Sequence, residues 1–364
     1  MAGAVRIRMA PEAHRGRPGE CAVGFGGGGL GTRVKGDRVT TKIFYERDAD
    51  PAAIAGQSVA VVGYGNQGRS WALNMRDSGV DVRVCVRADA SRELARGDGF
   101  ATGELADASA ADIVCLLVPD DVIPKLPLTR RDTSLTIIAS GYSVAFDRFR
   151  PAGDIALIAP RMLGPEVRLC YQEGVGFITA LGVEADVTGT ALARTLAIAK
   201  AIGGLKQGAI EMSAKQEAIL DLAVEQVLSP ALTHVSQSFV GAMMAEGIPL
   251  EAILTELVLS GEIERSYRIL RDIGFARQMT FHSPTSQYGQ LSRRGTYDQF
   301  DIADKMRELT ADITSGRFAD EWDAESAGGH KTLEALTKQH AGPDIVAFED
   351  DLRERLGPRV AAKS

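Results

Sequence analysis

The chain has few cysteines and no long uninterrupted apolar run. Its four cysteines are too widely separated for a disulfide framework or a zinc site: Cys21, Cys85, Cys115 and Cys170. Charge or glycine interrupts every apolar stretch before the ~18 residues that a membrane helix requires, and no secretion signal is visible. We therefore expect a reduced, cytoplasmic protein that does not contact a membrane.

A surplus of positive charge is also lacking. Lys and Arg number 41 against 48 Asp and Glu, which gives a net charge of −7. Without a dense basic stripe, nucleic acid is not an expected partner. A hydrophobic content of 45% is typical of an ordinary globular protein, and the length of 364 residues predicts two domains.

The first forty residues differ from the rest in being Arg-rich, with four consecutive glycines at 26–29 and almost no apolar periodicity. Such a segment cannot bury enough surface to offset its ordering entropy. We predict a disordered tail over residues 1–40 and a short one over 356–364. A start assigned too far upstream, with Val39 or a nearby residue as the true beginning, is the alternative; a targeting peptide is disfavoured because no apolar core follows the arginines.

The most informative motif is the glycine-rich segment Gly63-Tyr64-Gly65-Asn66-Gln67-Gly68. An apolar run precedes it and a helix-like segment, 69–77, follows it, which is the context of a dinucleotide phosphate loop. Gly63 permits the tight turn, Gly65 leaves room for a pyrophosphate, and Gly68 lets the helix pack on the strand. A lone motif of this kind can be an ordinary turn, but two further apolar runs, 80–86 and 112–118, favour a Rossmann-type domain. Pro119 and Asp120, which end the second run, are predicted to line the cofactor.

The segment after Val86 carries mixed signals for the choice of cofactor. Arg87 or Arg92 suits a 2′-phosphate, whereas Asp89 repels a phosphate and accepts hydrogen bonds from a free 2′-hydroxyl. We therefore predict NAD(H) in preference to NADP(H), bound near Arg87, Asp89 and Ser91. The alternative is that Asp89 only caps the next helix.

Residues 41–212 alternate strand and helix patterns, whereas residues 213–355 are helical almost throughout. Apolar spacing of three and four predicts helices over 185–202, 213–228, 231–246, 251–273 and 302–315, with Pro230 breaking or kinking the run. The fold class is thus α/β, with an N-terminal Rossmann domain and a C-terminal all-α domain. Helices this long would expose large apolar faces in a monomer, so we expect an obligate homo-oligomer.

Two carboxylates in the helical half, Asp221 and Glu225, are spaced i, i+4 and share one helix face. They repel each other unless a positive charge lies between them. Their apolar surroundings in sequence favour burial and Mg²⁺ ligation, and a solvated helix face is the alternative. Glu256, Glu262 and Glu264 follow later and are further candidate ligands.

Several motifs together resemble the short form of ketol-acid reductoisomerase over residues 42–355. They are Lys42-Ile43-Phe44-Tyr45 with Asp48-Ala49-Asp50, the segment 61–68, Ala159-Pro160, the segment 221–226, and the segment 315–322. The resemblance implies that a Mg²⁺ pair assists an alkyl shift in a 2-hydroxy-2-alkyl-3-keto acid and that a nicotinamide reduces the product. It also implies a knotted helical domain and dimers with shared active sites.

The resemblance assigns roles to individual residues. Asp221 and Glu225 match the first two metal ligands, and the partner subunit's pair falls either on Val258 and Glu262 or on Glu256 and Ser260, so one carboxylate is missing; we take Glu262 as the metal ligand. Ser283 matches the serine that holds the substrate carboxylate. Ser140 replaces a histidine and Arg161 replaces a lysine, a change that is not conservative. The implied catalytic set is Asp221, Glu225, Arg161, Ser140, Ser283 and Glu262.

These departures favour altered chemistry. We predict an NAD- and Mg²⁺-dependent enzyme of natural-product biosynthesis that acts on a small hydroxy or keto acid. It resembles the branch that forms cyclopropanol acids from a sulfonium-bearing dihydroxy acid with loss of dimethyl sulfide. The alternatives are a ketol-acid reductoisomerase of branched-chain amino acid biosynthesis and an inactive NAD-binding homologue.

Overall fold

The computed structural model describes residues 41–356 except 301 and 341. The predicted tail over residues 1–40, and the C-terminal tail beyond residue 356, lie outside the described residues. Residues 279–300 belong to a small compact unit of their own, and the remaining described residues form the main unit. No helix in the described part of the chain is long and apolar enough to cross a lipid bilayer.

The first half of the main unit is built on a single sheet whose strands follow the order β1-β9-β8-β7-β6-β5-β2-β3-β4. Neighbouring strands run parallel except for the pairs β1–β9 and β7–β8. The strands are β1 Ile43–Phe44, β2 Val59–Val62, β3 Val82–Cys85, β4 Ala101–Gly103, β5 Ile113–Leu116, β6 Leu135–Ile138, β7 Asp154–Pro160, β8 Thr179–Ala185 and β9 Ala209–Glu211.

Helices cover the faces of this sheet and explain its apolar sequence. Every residue of β2, β5 and β6 is buried, as expected for parallel strands that are covered on both faces. The helices of this half are α1 Asn66–Asp77, α2 Ala90–Gly97, α3 Tyr142–Ala145, α4 Gly164–Gln172 and α5 Ala191–Ala201. The predicted Rossmann-type α/β fold is therefore confirmed.

The chain is helical from α6 onward. The helices are α6 Ala214–Ala223, α7 Ser229–Ala245, α8 Leu250–Leu254, α9 Glu262–Ile273, α10 Phe275–Gln278, α11 Pro284–Arg293, α12 Ile302–Ser315, α13 Arg317–Ala327, α14 Lys331–His340 and α15 Pro343–Leu356. Two π-helical turns join neighbours in this series, Val224–Leu228 after α6 and Thr255–Leu259 after α8. The predicted domain boundary near Met212 stays a prediction.

Pro230 was predicted to break or kink the helical run, and the structure shows no break. It lies in the first turn of α7, directly after the π turn Val224–Leu228. Proline lacks the N–H that an α-helix interior would use, and the irregular turn before it removes that demand. The helical path therefore continues from α6 into α7.

Two other predicted helices have different bounds. The helix predicted over 185–202 begins only at Ala191, because the strand β8 extends to Ala185 and the side chain of Asp186 accepts a hydrogen bond from Ala191 N at 3.1 Å. The helix predicted over 251–273 is interrupted at Gly261, which has a left-handed φ of 70°. In both cases a local backbone signal outweighs the apolar periodicity.

The small unit contains α11, with the candidate residue Ser283 immediately before it. Ser283 Oγ accepts a hydrogen bond from Ser286 N at 3.3 Å, and its backbone carbonyl accepts from Gln287 N at 2.9 Å. Ser283 thus caps the first turn of α11. Its predicted contact with a substrate carboxylate stays a prediction.

Candidate functional site

The glycine-rich loop joins β2 to α1 and leaves an open cradle at the helix N-terminus. Gly65 is the N-cap of α1 and makes no side-chain cap, and a Cβ built on it meets no atom within 4 Å. Gly68 differs, because a Cβ there would lie 2.2 Å from Gly63 O. Gly63 itself adopts a φ of 96°. A bare helix N-terminus with room above it fits the pyrophosphate of a dinucleotide.

Tyr64 is the exception among the predicted cofactor residues of the loop. Its side chain is buried and its hydroxyl donates to Asp98 Oδ2 at 2.8 Å. The ring also packs edge-on against Phe100, with the ring centroids 5.9 Å apart. The phenol is therefore a core group, and only the backbone of Tyr64 is left to face a cofactor.

Asp89 serves as the N-cap of α2. Its Oδ1 accepts a hydrogen bond from Ser91 N at 2.9 Å, and its Oδ2 lies 3.4 Å from Arg87 Nε. Arg92 turns away to Glu104 Oε1 at 2.7 Å and Val86 O at 2.6 Å, whereas the Arg87 side chain is 80% exposed. Both the Asp89 carboxylate, which suits NAD(H), and the exposed Arg87 guanidinium, which suits NADP(H), thus lie beside the predicted ribose site. The preference for NAD(H) therefore stays a prediction.

The segment after β7 lies directly against the cofactor loop. Gln67 Nε2 donates to Met162 O at 3.3 Å, and Ser70 Oγ donates to Gly164 O at 2.8 Å. A Cβ on Gly164 would come within 2.6 Å of the Asn66 carbonyl carbon. These contacts hold the start of α4 against the start of α1. Arg161 directly precedes Met162 and is therefore held next to the cofactor loop.

Arg161 connects the Rossmann half to the helical half through two carboxylates of α6. Its Nη1 donates to Glu217 Oε1 at 2.6 Å and its Nη2 donates to Asp221 Oδ1 at 3.0 Å. The positive charge of Arg161 thus lies between Glu217 and Asp221. It does not lie between Asp221 and Glu225, the pair for which the sequence suggested a neutralising positive charge.

Glu217 is the central residue of this network and was missed in the sequence. Its side chain is only 3% exposed, and its Oε2 accepts a hydrogen bond from Gly141 N at 2.7 Å. Burial raises the pKa of Glu217, and the Gly141 N–H and the Arg161 charge oppose that rise. Glu217, Asp221 and Glu225 repeat at intervals of four, and that spacing is the signal that could have revealed it.

Local anchors hold α6 in position. Ser213 caps the helix and forms a capping box with Gln216, and Glu184 Oε1 accepts from Ala214 N at 2.6 Å. Gly141 sits so close to α6 that a Cβ on it would lie 2.1 Å from Ala214 O. The turn after β6 therefore requires glycine, and it presents its N–H to Glu217.

Asp120 and Ser140 lie in the turns that follow the adjacent strands β5 and β6, and they contact each other beside this network. Ser140 Oγ donates to Asp120 Oδ2 at 3.4 Å and accepts from Tyr142 N at 3.3 Å. Asp120 Oδ1 is sealed from solvent and has no hydrogen-bond partner among the described residues. Burial, together with the negative charges of Glu217 and Asp221, raises the pKa of Asp120 to about 6. Pro119 is exposed next to it.

The candidate metal ligands do not converge within one chain. Asp221 is half exposed, and Glu225 lies exposed in the first π turn, whereas burial was expected for both. Among the described residues, no three Asp, Glu, His or Cys side chains are placed to hold a metal ion. Mg²⁺ is commonly bound through one or two carboxylates and retained waters. Asp221 and Glu225 therefore fit a partial shell of one Mg²⁺ that further ligands must complete.

The later glutamates lie in different local settings. Glu256 falls in the second π turn, Thr255–Leu259, as Glu225 falls in the first. Glu262 begins α9, after the left-handed Gly261. Isolated π turns occur frequently at functional sites, and this parallel favours Glu256 over Glu262 as a ligand.

A cavity of about 1070 Å³ lies elsewhere in the main unit. It is lined by residues that precede β2 and β3, such as Ser58 and Asp81, and by the C-terminal ends of α1 and α5. Ligands of doubly wound sheets bind beyond the carboxyl ends of the strands. We therefore place the candidate site at the opposite edge, where Arg161, Glu217 and Asp120 meet.

Comparison with protein families matches both halves of the chain. The family described as "Acetohydroxy acid isomeroreductase, NADPH-binding domain" matches residues 53–208. The family described as "Ketol-acid reductoisomerase, C-terminal domain" matches residues 214–357. Together the two matches span most of the chain.

Individual relatives agree. A "Ketol-acid reductoisomerase (NADP(+))" of Caldivirga maquilingensis is 35% identical over 324 residues, which covers 86% of this chain and 98% of the relative. A "Putative ketol-acid reductoisomerase 3" of Saccharolobus solfataricus is 33% identical, with the same coverage of each chain. A solved structure of an NADH-preferring ketol-acid reductoisomerase from an uncultured archaean has a TM-score of 0.79 and 27% identity, and covers 86% of this chain and 98% of its own.

Proposed function

Because the chain belongs to the ketol-acid reductoisomerase family, we propose that it isomerises and reduces a 2-hydroxy-3-keto acid in branched-chain amino acid biosynthesis. The observation that carries the proposal is the contact of the cofactor loop with the segment that bears Arg161, which in turn binds Asp221 of α6. The hydride donor and the carboxylate proposed to hold Mg²⁺ would thus lie close to each other. The relatives support this interpretation more than the cyclopropanol prediction.

The dinucleotide supplies the hydride when it is bound. The open backbone at Gly65 and the N-terminus of α1 accept its pyrophosphate. Asp89 and Arg87 lie at the ribose end, and the relatives include both an NADP(+) enzyme and an NADH-preferring one. We propose NAD(H), and fluorescence titration should show tighter binding of NADH than of NADPH; a tenfold preference for NADPH, about 1.4 kcal/mol, would contradict it.

Divalent Mg²⁺ supplies Lewis-acid polarisation of substrate oxygens when it is bound. In this chain Asp221 and Glu225 would hold it, and a carboxylate of a second copy, Glu256 or Glu262, would complete its shell. We propose a homodimer for this reason. Arg161 keeps positive charge beside Asp221. Asp120, whose Oδ1 has no partner among the described residues, can hold or release a proton at a pH of about 6.

The direct test is turnover of acetolactate with NADH, NADPH and Mg²⁺. Asp221→Asn should abolish turnover but leave NADH binding intact, because the carboxylate belongs to α6 and not to the phosphate loop. Full activity of Asp221→Asn, or of wild type in excess chelator, would show that the carboxylate pair is a solvated helix face.

A second candidate function is favoured by Arg161 and Ser140, which stand where the family resemblance implies a lysine and a histidine. In this candidate, NAD⁺ would take a hydride from a carbinol carbon of a γ-sulfonium dihydroxy acid to give a ketone, and the hydroxyl proton and a proton from the carbon next to the ketone would go to solvent. The resulting enolate carbon would attack the sulfonium-bearing carbon, and return of the hydride with one proton from solvent would form a cyclopropanol. The C–S bond breaks, dimethyl sulfide leaves, and no net NADH accumulates. Release of dimethyl sulfide without acetolactate turnover would select this function, and silence on both substrates would indicate an inactive binding protein.

A further inference from the structure

Arg161 makes two contacts of unequal accessibility. The contact with Glu217 is buried, whereas the Asp221 side chain is 49% exposed. Arg161 Nη2 donates to Asp221 Oδ1. The other carboxylate oxygen, Oδ2, has no hydrogen-bond partner within the part of the chain that the structure describes. The Asp221 contact is thus the one that solvent and ions can reach.

We propose that Arg161 is a built-in cation that competes with a divalent metal for Asp221. The proposal rests on the proposed function for the presence of a metal at α6. With Nη2 on Oδ1, Asp221 can offer a metal only one oxygen. A metal that takes both oxygens must displace the guanidinium, so Arg161 limits how tightly and in what mode Asp221 binds it.

Glu217 keeps Arg161 in place after such a displacement. Its Oε2 is fixed by Gly141 N at 2.7 Å and its Oε1 by Arg161 Nη1 at 2.6 Å. The positive charge therefore stays beside the metal and repels it. A like charge within a few ångströms changes the ionisation equilibrium of a group by one to three log units, and we expect a metal to be disfavoured by about tenfold or more.

The guanidinium fork is what allows both contacts. Its separate N–H groups lie in one rigid plane and reach two carboxylates at once, whereas a lysine presents one nitrogen on a flexible stem. Arg161→Lys keeps a positive partner for the buried Glu217 but loses the second arm. The variant should therefore fold normally and release Asp221.

The experiment measures binding of Mn²⁺ alone to the full chain, by electron paramagnetic resonance of the free ion. Mn²⁺ favours the same oxygen ligands as Mg²⁺. Arg161→Lys should lower the Kd by about tenfold, because the competing charge-assisted hydrogen bond from Nη2 to Asp221 is lost while the positive charge is kept. Arg131→Gln is the matched control, since Arg131 forms an exposed ion pair with Asp112 at 2.9 Å and its loss should leave the Kd unchanged. Adding Asp221→Asn to Arg161→Lys should abolish the gain.

Equal or weaker Mn²⁺ binding by Arg161→Lys, with a wild-type thermal transition, would overturn the proposal. A gain that persists in the double variant would also overturn it, because the metal would then bind away from Asp221. No turnover enters the measurement. Tighter Mn²⁺ binding by Arg161→Lys, together with no turnover of acetolactate by the wild-type protein, would therefore contradict the proposed function and still support the competition between Arg161 and the metal.

Discussion

The carboxyl group of Asp120 is expected to make the stability of the protein depend on pH. Its pKa in the folded chain is raised to about 6, mainly by burial, from an ordinary 3.8. The folded state therefore binds the proton more tightly than the unfolded state, and the associated stability is present below about pH 4 and lost as pH rises through about 6. The loss should amount to about 1–3 kcal/mol.

Asp120→Asn removes this dependence. At about pH 7.5 the variant should be more stable than wild type by that amount in chemical denaturation, and at about pH 4 the two should agree. Asp112→Asn is the control of opposite sign, because hydrogen bonds from Ser58 lower the pKa of Asp112 and its carboxylate stabilises the fold at neutral pH. Equal stability of wild type and Asp120→Asn at both pH values would contradict the prediction.

Two glycines of the cofactor loop should respond to alanine in opposite ways. Gly65→Ala meets open space, so the fold should persist while the new methyl group fills the pyrophosphate site and weakens NADH binding tenfold or more, about 1.4 kcal/mol. Gly68→Ala would place a Cβ 2.2 Å from Gly63 O and should lower the melting temperature. Calorimetry and NADH fluorescence separate the two effects, and unchanged NADH affinity of Gly65→Ala would argue against the loop as the binding site.

At the residue scale, local sequence context predicted the glycine-rich turn between β2 and α1, because it depends on short spacings along the chain, whereas metal ligation by Asp221 stays a prediction. Tyr64 was placed at the cofactor, and its burial against Phe100 depends on a partner 36 positions away. Glu217 was missed for a similar reason. Its importance comes from Gly141 and Arg161, which only the folded chain brings to it.

At the scale of elements, the turn after β6 and the first turn of α6 act as one unit. Gly141→Ala would bring a Cβ within 2.1 Å of Ala214 O, so α6 must shift or the turn must open, at a cost of about 1–3 kcal/mol. The hydrogen bond from Gly141 N to Glu217 should be lost with it. A fall in melting temperature of several degrees is expected.

Gly97→Ala is the matched control for that substitution, because a Cβ on Gly97 meets nothing within 4 Å and the residue ends α2. Its melting temperature should stay the same or rise slightly, since alanine is the better helix former. If Gly141→Ala were as stable as Gly97→Ala, the close approach of the turn to α6 would not constrain the fold.

Three strands, β2, β3 and β5, and the helices α1, α6, α7 and α12 were predictable, because apolar runs and apolar periodicity report which residues are buried. The two π turns were not predictable, since no residue pattern in the sequence indicates them. Pro230 was interpreted as a break or a kink, and the chain passes from the first π turn into α7 without a break. Periodicity reports burial, whereas the continuity of a helix depends on which backbone groups find partners.

At the scale of the whole molecule, α7 has no buried residue although much of it is apolar. Leu232, Val235 and Phe239 are between 43% and 60% exposed, and water would disfavour such a face in an isolated chain. This exposure supports the proposed homodimer. Val235→Glu should shift the mass measured by light scattering toward the monomer, whereas Leu94→Glu, at an exposed leucine of α2, should not.

The last prediction tests whether two chains share one site. If Asp221 of one chain and Glu256 of its partner hold the same metal, Asp221→Asn and Glu256→Gln homodimers should both be inactive. Subunit exchange between them creates heterodimers in which one site carries both changes and the other carries neither. Random mixing should then restore about a quarter of wild-type activity.

Glu262→Gln, mixed with Asp221→Asn in the same way, distinguishes the two candidate glutamates. Because Glu256 lies in a π turn like that of Glu225, we expect Glu262→Gln homodimers to be active. The mixture should then have no more activity than its Glu262→Gln subunits account for. Inactive Glu262→Gln homodimers that complement Asp221→Asn would assign the ligand to Glu262 instead. Absence of complementation by either pair, after exchange has been verified by mass, would place Asp221 and these glutamates in separate roles within each chain.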